Sequence, residues 1–318
     1  MGHFVTKKLL DLGHDVTVLD NLTYGSKGLD GLTGRERFNF ILGDIGDLKS
    51  VVKAAKGKDA VVALAAIVGD PACALNEDET IQTNFLATRI LADVCNHYGI
   101  GRIVFASSCS VYGDTKNDIA DERSPVNPLS LYAETRIMSE KLLLERRHKF
   151  STVILRLATV FGYSKRMRFD LVVNFLAAKA FYQNRFTIRG GNQWRPFVHV
   201  QDAAEAFVRA ALAPKRKVDR KIINVGNDKN NLSISAVGAI VKKLFKKVSI
   251  EKRRELEDKR NYRISFGRLG KILDFECRYS VADGVKELIE KMKAEKIENF
   301  EDDVYYNVRY IYKIRNGQ

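Results

Sequence analysis

Apolar residues recur along the chain in two rhythms. Over residues 4–12, Val5, Leu9 and Leu12 fall at i, i+4 and i+7, and Gly13 follows. That spacing predicts an amphipathic helix with a glycine stop. Short runs rich in β-branched residues come next: "DVTVLD" (15–20), "FNFIL" (38–42), "DAVVALAA" (59–66), "RIVFASS" (102–108) and "TVILRLA" (152–158). Several are apolar on both faces, as parallel strands covered by helices are. Helical periodicity fills the gaps at 47–56, 78–98 and 130–147. The alternation predicts an α/β fold, a Rossmann-like doubly wound parallel sheet.

After residue 163 the rhythm loosens. Helical stretches at 169–183, 202–213 and 234–247 are separated by the strand-like pieces "FTI" and "KIINVG". A late helix opens at Ser280 with Asp283 three residues on, a capping-box pattern. The expected organisation is a first domain at 1–163 and a smaller α+β lobe at 164–318, with some late segments returning to the first domain.

Ligands of open α/β sheets sit at the carboxyl ends of the strands. Asp20, Asp44, Ala65 with Ala66, Ser107 with Ser108, and Arg156 with Thr159 fall there. An acidic residue at such an end accepts both hydroxyls of an adenosine ribose and repels a 2′-phosphate, which points to NAD rather than NADP. The alternative is that Asp20 caps a turn in "LDNLTYG". A sheet of this type begins with a strand and a Gly-rich turn ahead of its first helix. Neither precedes residues 4–12, and Gly2 stands where the last glycine of such a turn falls. The sequence is therefore expected to be N-terminally truncated, with a shortened sheet edge as the alternative.

Composition narrows the class. With 318 residues, 45% hydrophobic and 29% charged, the chain can bury a sizeable core. No run approaches ~18 apolar residues, so no membrane helix is expected. The opening "MGHFVTKKLLDLGHD" lacks the apolar core of a signal peptide. Cys73, Cys95, Cys109 and Cys277 offer no CxxC and no metal spacing. They read as buried thiols of a reducing cytosol, so a cytoplasmic location and no metal are expected. The net charge of +14 suits nucleic acid, a phosphorylated metabolite or simply a solvated surface. The densest basic run, 241–260, carries one aromatic residue and makes a poor stacking platform for single strands. In "LYAETR", Tyr132 and Arg136 are four residues apart and share one helix face, either as a surface pair or as a working pair.

These pieces together resemble the extended short-chain dehydrogenase/reductase family, the NAD-dependent nucleotide-sugar epimerases and dehydratases of the UDP-glucose 4-epimerase kind. The matching segments are "LDNLTYG" (19–25), "GDIGD" (43–47), "LAA" (64–66), "SSCSVYG" (107–113), "NPLSLYAETR" (127–136), "LRLATVFG" (155–162) and "WRPFVHVQDAAEAF" (194–207), in family order over most of the chain. The resemblance implies NAD, a nucleotide-diphosphate sugar and a homodimer, with no nucleic-acid or membrane partner. It implies that Ser108 and Tyr132 are catalytic and that Arg136 stands where the family has lysine. Gly2, Asp20, Asn21, Asp44, Ile45, Leu64, Ala65, Ala66, Tyr132 and Arg136 are implied to hold NAD. Ser108, Thr159, Asn174, Arg195, Asp258 and Arg260 are implied to hold the substrate.

The chemistry requires a phenolate-like base, whereas free tyrosine titrates near ~10. A cation one turn away is expected to lower that value by favouring the anion. Arginine keeps the charge but is larger and planar. Ala63 replaces the histidine usual before "LAA". His199, inside "FVHVQD", is expected to be structural rather than a base or ligand. The family's dehydratases carry a glutamate directly before Val-Tyr-Gly, with an aspartate ahead of it in the 4,6-dehydratases; here Ser110 and Cys109 stand there. That favours oxidation and return of hydride, which is epimerisation. A 4-keto-sugar reductase or dehydratase of the same family is the alternative. A protein that binds nucleotide sugar or NAD without turnover is the alternative of another class.

Overall fold

The computed structural model describes residues 1–145, 147–245, 247–254 and 260–315. Its central sheet is parallel, in the order Lys221–Val225, Ser151–Leu157, Arg102–Ser108, Ala60–Ala63. A second parallel ladder joins Val16–Asp20 to Phe38–Leu42. No hydrogen bond among the described residues links the two ladders.

Alternation along the strands explains the double cover, since successive side chains point to opposite faces. Ile103, Phe105 and Ile154 pack with Val51, Leu91, Val94 and Leu143, from the helices Leu48–Ala55, Ala87–Tyr98 and Leu131–Leu143. Val104, Ala106, Val153 and Leu155 join Val5, Ala203 and Phe207 on the other face, from the helices Gly2–Asp11 and Val200–Leu212. No helix is long and apolar enough to cross a membrane among the described residues.

The remaining strands form smaller sheets. Thr159–Phe161, Trp194–His199 and Asn231–Ser233 make one, and Arg185–Arg189 pairs with Ser249–Arg253. A separate core under them includes Phe161, Phe169, Phe186 and Phe197. The late helix is Val281–Ala294, and Ser280 and Asp283 form the expected capping box.

Two local readings need correction, and one strand had no signal in the pattern. The strand expected at 59–66 ends at Ala63, so Leu64, Ala65 and Ala66 lie on the following loop. The helix expected at 78–98 is broken by a π-helical turn at Gln82–Leu86. Asp114–Ala120, which lacks a clear apolar alternation, is a strand because Asn261–Ile264 pairs with it. Long-range pairing here overrides a weak local signal.

Candidate active site

The helix Leu131–Leu143 carries the central side chains. Ser130 caps it by accepting the Ala133 N–H at 3.3 Å, and its hydroxyl donates to Asp70 Oδ1 at 2.8 Å. The helix is thereby tied to the segment after the Ala60–Ala63 strand. Tyr132 is half-buried, one turn before Arg136, and one turn further on comes Glu140.

Ser108 ends the strand Arg102–Ser108 and caps the short 3₁₀ turn Cys109–Tyr112. Its hydroxyl oxygen accepts from the Ser110 N–H at 3.1 Å and the Ser110 hydroxyl at 2.9 Å. Both bonds use its lone pairs, so its own proton remains free to donate. The turn is held in place by Gly113 at φ 67°, where an added Cβ would lie 2.0 Å from the Asn127 carbonyl oxygen. Only glycine fits so close an approach in that conformation.

Arg136 is 2% exposed. Its Nη1 donates to the Ala106 carbonyl at 3.3 Å and its Nη2 to the Asn84 carbonyl at 3.0 Å. The guanidinium lies 5.5 Å from the Tyr132 ring centroid and 5.2 Å from that of Phe105. Its Nε is buried without a partner, and among the described residues no carboxylate pairs with it. Burial lowers its pKa, and Tyr132 opposes that shift.

The effect on Tyr132 corrects the expected direction. Burial pushes the phenol above its ordinary value, and the charge of Arg136 opposes this without reversing it. Cys73 and Asp70 push the same way as burial. Desolvation of the phenolate outweighs the charges of Arg136 and, more weakly, Arg168.

A second buried arginine lies beneath the same helix. Arg156 Nε and Nη2 donate to Glu140 at 3.0 and 2.6 Å, and Nη1 donates to the Tyr112 hydroxyl at 2.9 Å. Tyr112 donates in turn to Asn224 Oδ1 at 2.8 Å, and Ser107 donates to Glu140. Hydrogen bonding and the charge of Glu140 raise the Arg156 pKa in spite of burial.

The residues expected to hold NAD fall in two groups. Asp20, Asn21 and Asp44 lie together at the carboxyl ends of the outer ladder. Asn21 Nδ2 donates to Asp44 Oδ2 at 2.7 Å, and Asp20 Oδ1 accepts the Leu22 N–H at 2.7 Å. Both carboxylates are exposed, whereas Ile45 packs against the core. Gly2 opens the first helix, and a Cβ there would sit 3.8 Å from Leu64.

The residues expected to hold substrate are more constrained. Asn174 donates to the Gly162 and Arg168 carbonyls at 3.3 and 2.9 Å and accepts the Gly162 N–H at 3.0 Å. Arg195 Nη1 donates to the Trp194 carbonyl at 2.8 Å and to that of Arg260. Arg260 pairs with Asp70 at 2.9 Å. Thr159 opens its strand opposite Phe197. Asp258 lies outside the described residues.

His199 pairs with Glu287 at 2.7 Å and is fully buried. Its ring fills the space beside Gly162, where a Cβ would lie 2.3 Å from it. Cys109 is buried with its thiol pushed up by desolvation, and Ser110 bonds to Ser108. Neither position supplies a carboxyl acid.

Sequence reasoning did not single out Asn84, Asp70, Ser130 or Glu140. The i, i+4 spacing of Glu140 to Arg136 points to the wrong partner, because Glu140 pairs with Arg156 from the strand Ser151–Leu157. Asn84 had no local signal: its carbonyl meets Arg136 and Ser139 from within the π turn, and its side chain pins both Ile67 backbone groups at 2.9 and 3.0 Å.

The chain belongs to the NAD dependent epimerase/dehydratase family, which it matches over residues 1–226. Among its relatives is a UDP-glucuronate 4-epimerase of Thermodesulfobacterium geofontis, 28% identical, covering 91% of this chain and 92% of that one. A UDP-glucose 4-epimerase of Bacillus subtilis is 25% identical over 78% of this chain and 79% of its own. The structure of a UDP-glucuronic acid 4-epimerase from Bacillus cereus, in complex with UDP-glucuronic acid and NAD, is similar with a TM-score of 0.80. It is 26% identical and covers 92% of this chain and 96% of that one.

Proposed function

We propose that the chain epimerises a nucleotide-diphosphate sugar through a transient keto-sugar, with Tyr132 as base and Ser108 as its partner. The observation that carries this reading is the buried Arg136 guanidinium beside the Tyr132 ring, with no carboxylate in direct ion-pair contact among the described residues. A cation so placed favours negative charge on the nearest acid, which is the phenol.

Ser108 donates its free proton to the reacting sugar oxygen and stabilises the charge that develops there. Tyr132 takes the proton of that hydroxyl and returns one when the keto group is reduced. The side chains present fit NAD: Asp20 and Asp44 offer exposed carboxylates for ribose hydroxyls, and Ala65 and Ala66 leave room for a flat ring. When bound, NAD supplies the acceptor and donor of hydride. Leu64, Ile45, Asn21 and Gly2 are assigned to the cofactor with them. Thr159, Asn174, Arg195 and Arg260 belong to the sugar-nucleotide side. There Asn174 acts by fixing the Gly162 loop, and Arg195 and Arg260 contribute charge suited to phosphates. The absence of a carboxyl acid at Cys109 and Ser110 supports epimerisation over elimination.

The first domain, 1–163, holds the cofactor in this reading, and 164–318 mainly the nucleotide sugar. The protein works in the cytoplasm as a homodimer.

UDP-glucose and UDP-glucuronate are the first substrates to test, given the relatives' activities. Incubation with NAD, followed by proton NMR of the sugar, should reveal the 4-epimer of one of them. No epimer from either, with tight binding of both, would replace this reading with the binding-only one. The raised phenol of Tyr132 is the observation that favours that second reading.

A further inference from the structure

The C-terminal helix Asn307–Arg315 touches both the smaller lobe and the loops that follow the strands of the first half. Just before it, the chain is anchored in the smaller lobe. Phe300 stacks on Tyr182 at 5.1 Å, Lys179 pairs with Glu301 at 2.6 Å, and the Phe169 N–H donates to the Tyr305 carbonyl at 3.1 Å. From Asn307 onward the contacts reach both lobes. Asn307 is almost fully buried. Its N–H donates to Asp170 Oδ2 at 3.2 Å, its Nδ2 donates to the Val68 carbonyl at 3.4 Å, and its Oδ1 accepts from Arg166 Nη1 at 2.8 Å.

Tyr310 stacks on Tyr24 at 5.8 Å, and the Arg166 guanidinium lies over both rings, at 4.0 Å from Tyr24 and 5.9 Å from Tyr310. At the far end Arg315 pairs with Glu79. The helix also packs on the turn Asp70–Cys73. Tyr24, Val68 and Asp70–Cys73 follow the carboxyl ends of Val16–Asp20 and Ala60–Ala63, the edge where ligands of such sheets bind. Arg166 and Asp170 come from the opposite lobe.

The cover is imperfectly matched to what it covers. Arg166 Nε and the Tyr24 hydroxyl are buried with no hydrogen-bond partner among the described residues. Leaving buried polar groups unpaired makes a closed state easy to open. The Arg315–Glu79 pair at the end is partly exposed, and exposed pairs hold weakly and yield to salt.

We propose that Asn307–Arg315 is a latched lid. It turns about the Asp303–Tyr305 segment, releasing Tyr24, Val68 and Glu79 to admit the ligand, and the Arg315–Glu79 pair is its latch. That the ligand is a nucleotide sugar rests on the function proposed above; the motion of the helix does not.

Cys73 lies beneath the lid, 1% exposed, and Cys95, Cys109 and Cys277 are buried elsewhere. Site-resolved alkylation of the four thiols by N-ethylmaleimide therefore reads the opening. In Tyr310→Ala the Cys73 rate should rise roughly tenfold or more, with the other three thiols unchanged. In Arg315→Gln it should rise about two- to fivefold, and high salt should do the same to the unaltered protein. UDP-glucose association and dissociation rates should rise together in Arg315→Gln, with little change in affinity. If no variant binds UDP-glucose but Cys73 responds as described, the lid stands and the functional reading falls. An unchanged Cys73 rate in both variants, or all four thiols rising together in both, would overturn the lid.

Discussion

Arg136 and Arg156 are both buried arginines within reach of the helix Leu131–Leu143, yet their surroundings are opposite. Arg156 has a carboxylate in Glu140, a phenol in Tyr112 and a raised pKa. Arg136 has two backbone carbonyls, two aromatic rings and a lowered pKa. A protein that needed only stability would neutralise both, because an unmatched buried cation is costly. The difference separates a cation that holds the fold from one kept uncompensated beside Tyr132.

Four substitutions sharpen the contrast. Tyr132→Phe should lower turnover by roughly 10²–10⁴ with the melting temperature unchanged, since it removes a base without removing bulk. Activity and calorimetry together check this. Glu140→Gln should have its large effect on stability instead. It strips Arg156 of its counter-charge, which costs about 3–5 kcal/mol in a buried pair, and urea unfolding should reveal it.

Arg136→Met removes a cation with no direct ion-pair partner among the described residues, so unfolding free energy should stay within about 1 kcal/mol of the unaltered protein or rise. Its turnover should nonetheless fall, and its pH–rate profile should move. The base acts deprotonated, so activity rises with pH through the Tyr132 titration. Without the cation that favours the phenolate, this rise should come at higher pH. Arg136→Lys should have the smallest effect, with activity equal or higher, because the charge is kept and lysine is the family's residue there. Loss of all activity in Arg136→Lys together with full activity in Tyr132→Phe would end the base-and-cation account.

Much of this was legible in the sequence, for identifiable reasons. The strands at 38–42 and 102–108 agree to the residue with Phe38–Leu42 and Arg102–Ser108, and the second, buried along most of its length, carries the dense apolar signal of a covered parallel strand. The pairing of Tyr132 with Arg136 followed from helical spacing alone. The direction of the Tyr132 shift did not, because it depends on how completely the phenol is desolvated, and burial is a property of the whole fold. The π turn at Gln82–Leu86 was equally hidden. Its apolar positions continue the helical pattern, and only the Asn84 contacts to Ile67 and Arg136 explain why the register shifts.

The most direct test needs neither cofactor nor substrate. NMR titration of the protein labelled with ¹³C at the tyrosine Cζ follows each phenol, and Tyr132→Phe assigns the signal of interest. Comparison of the unaltered protein with Arg136→Met then isolates the guanidinium. If the uncompensated cation serves Tyr132, the phenol titrates at lower pH in the unaltered protein than in Arg136→Met. Titration of Tyr132 at the same pH in both would contradict the claim that Arg136 is kept without a carboxylate partner for its sake.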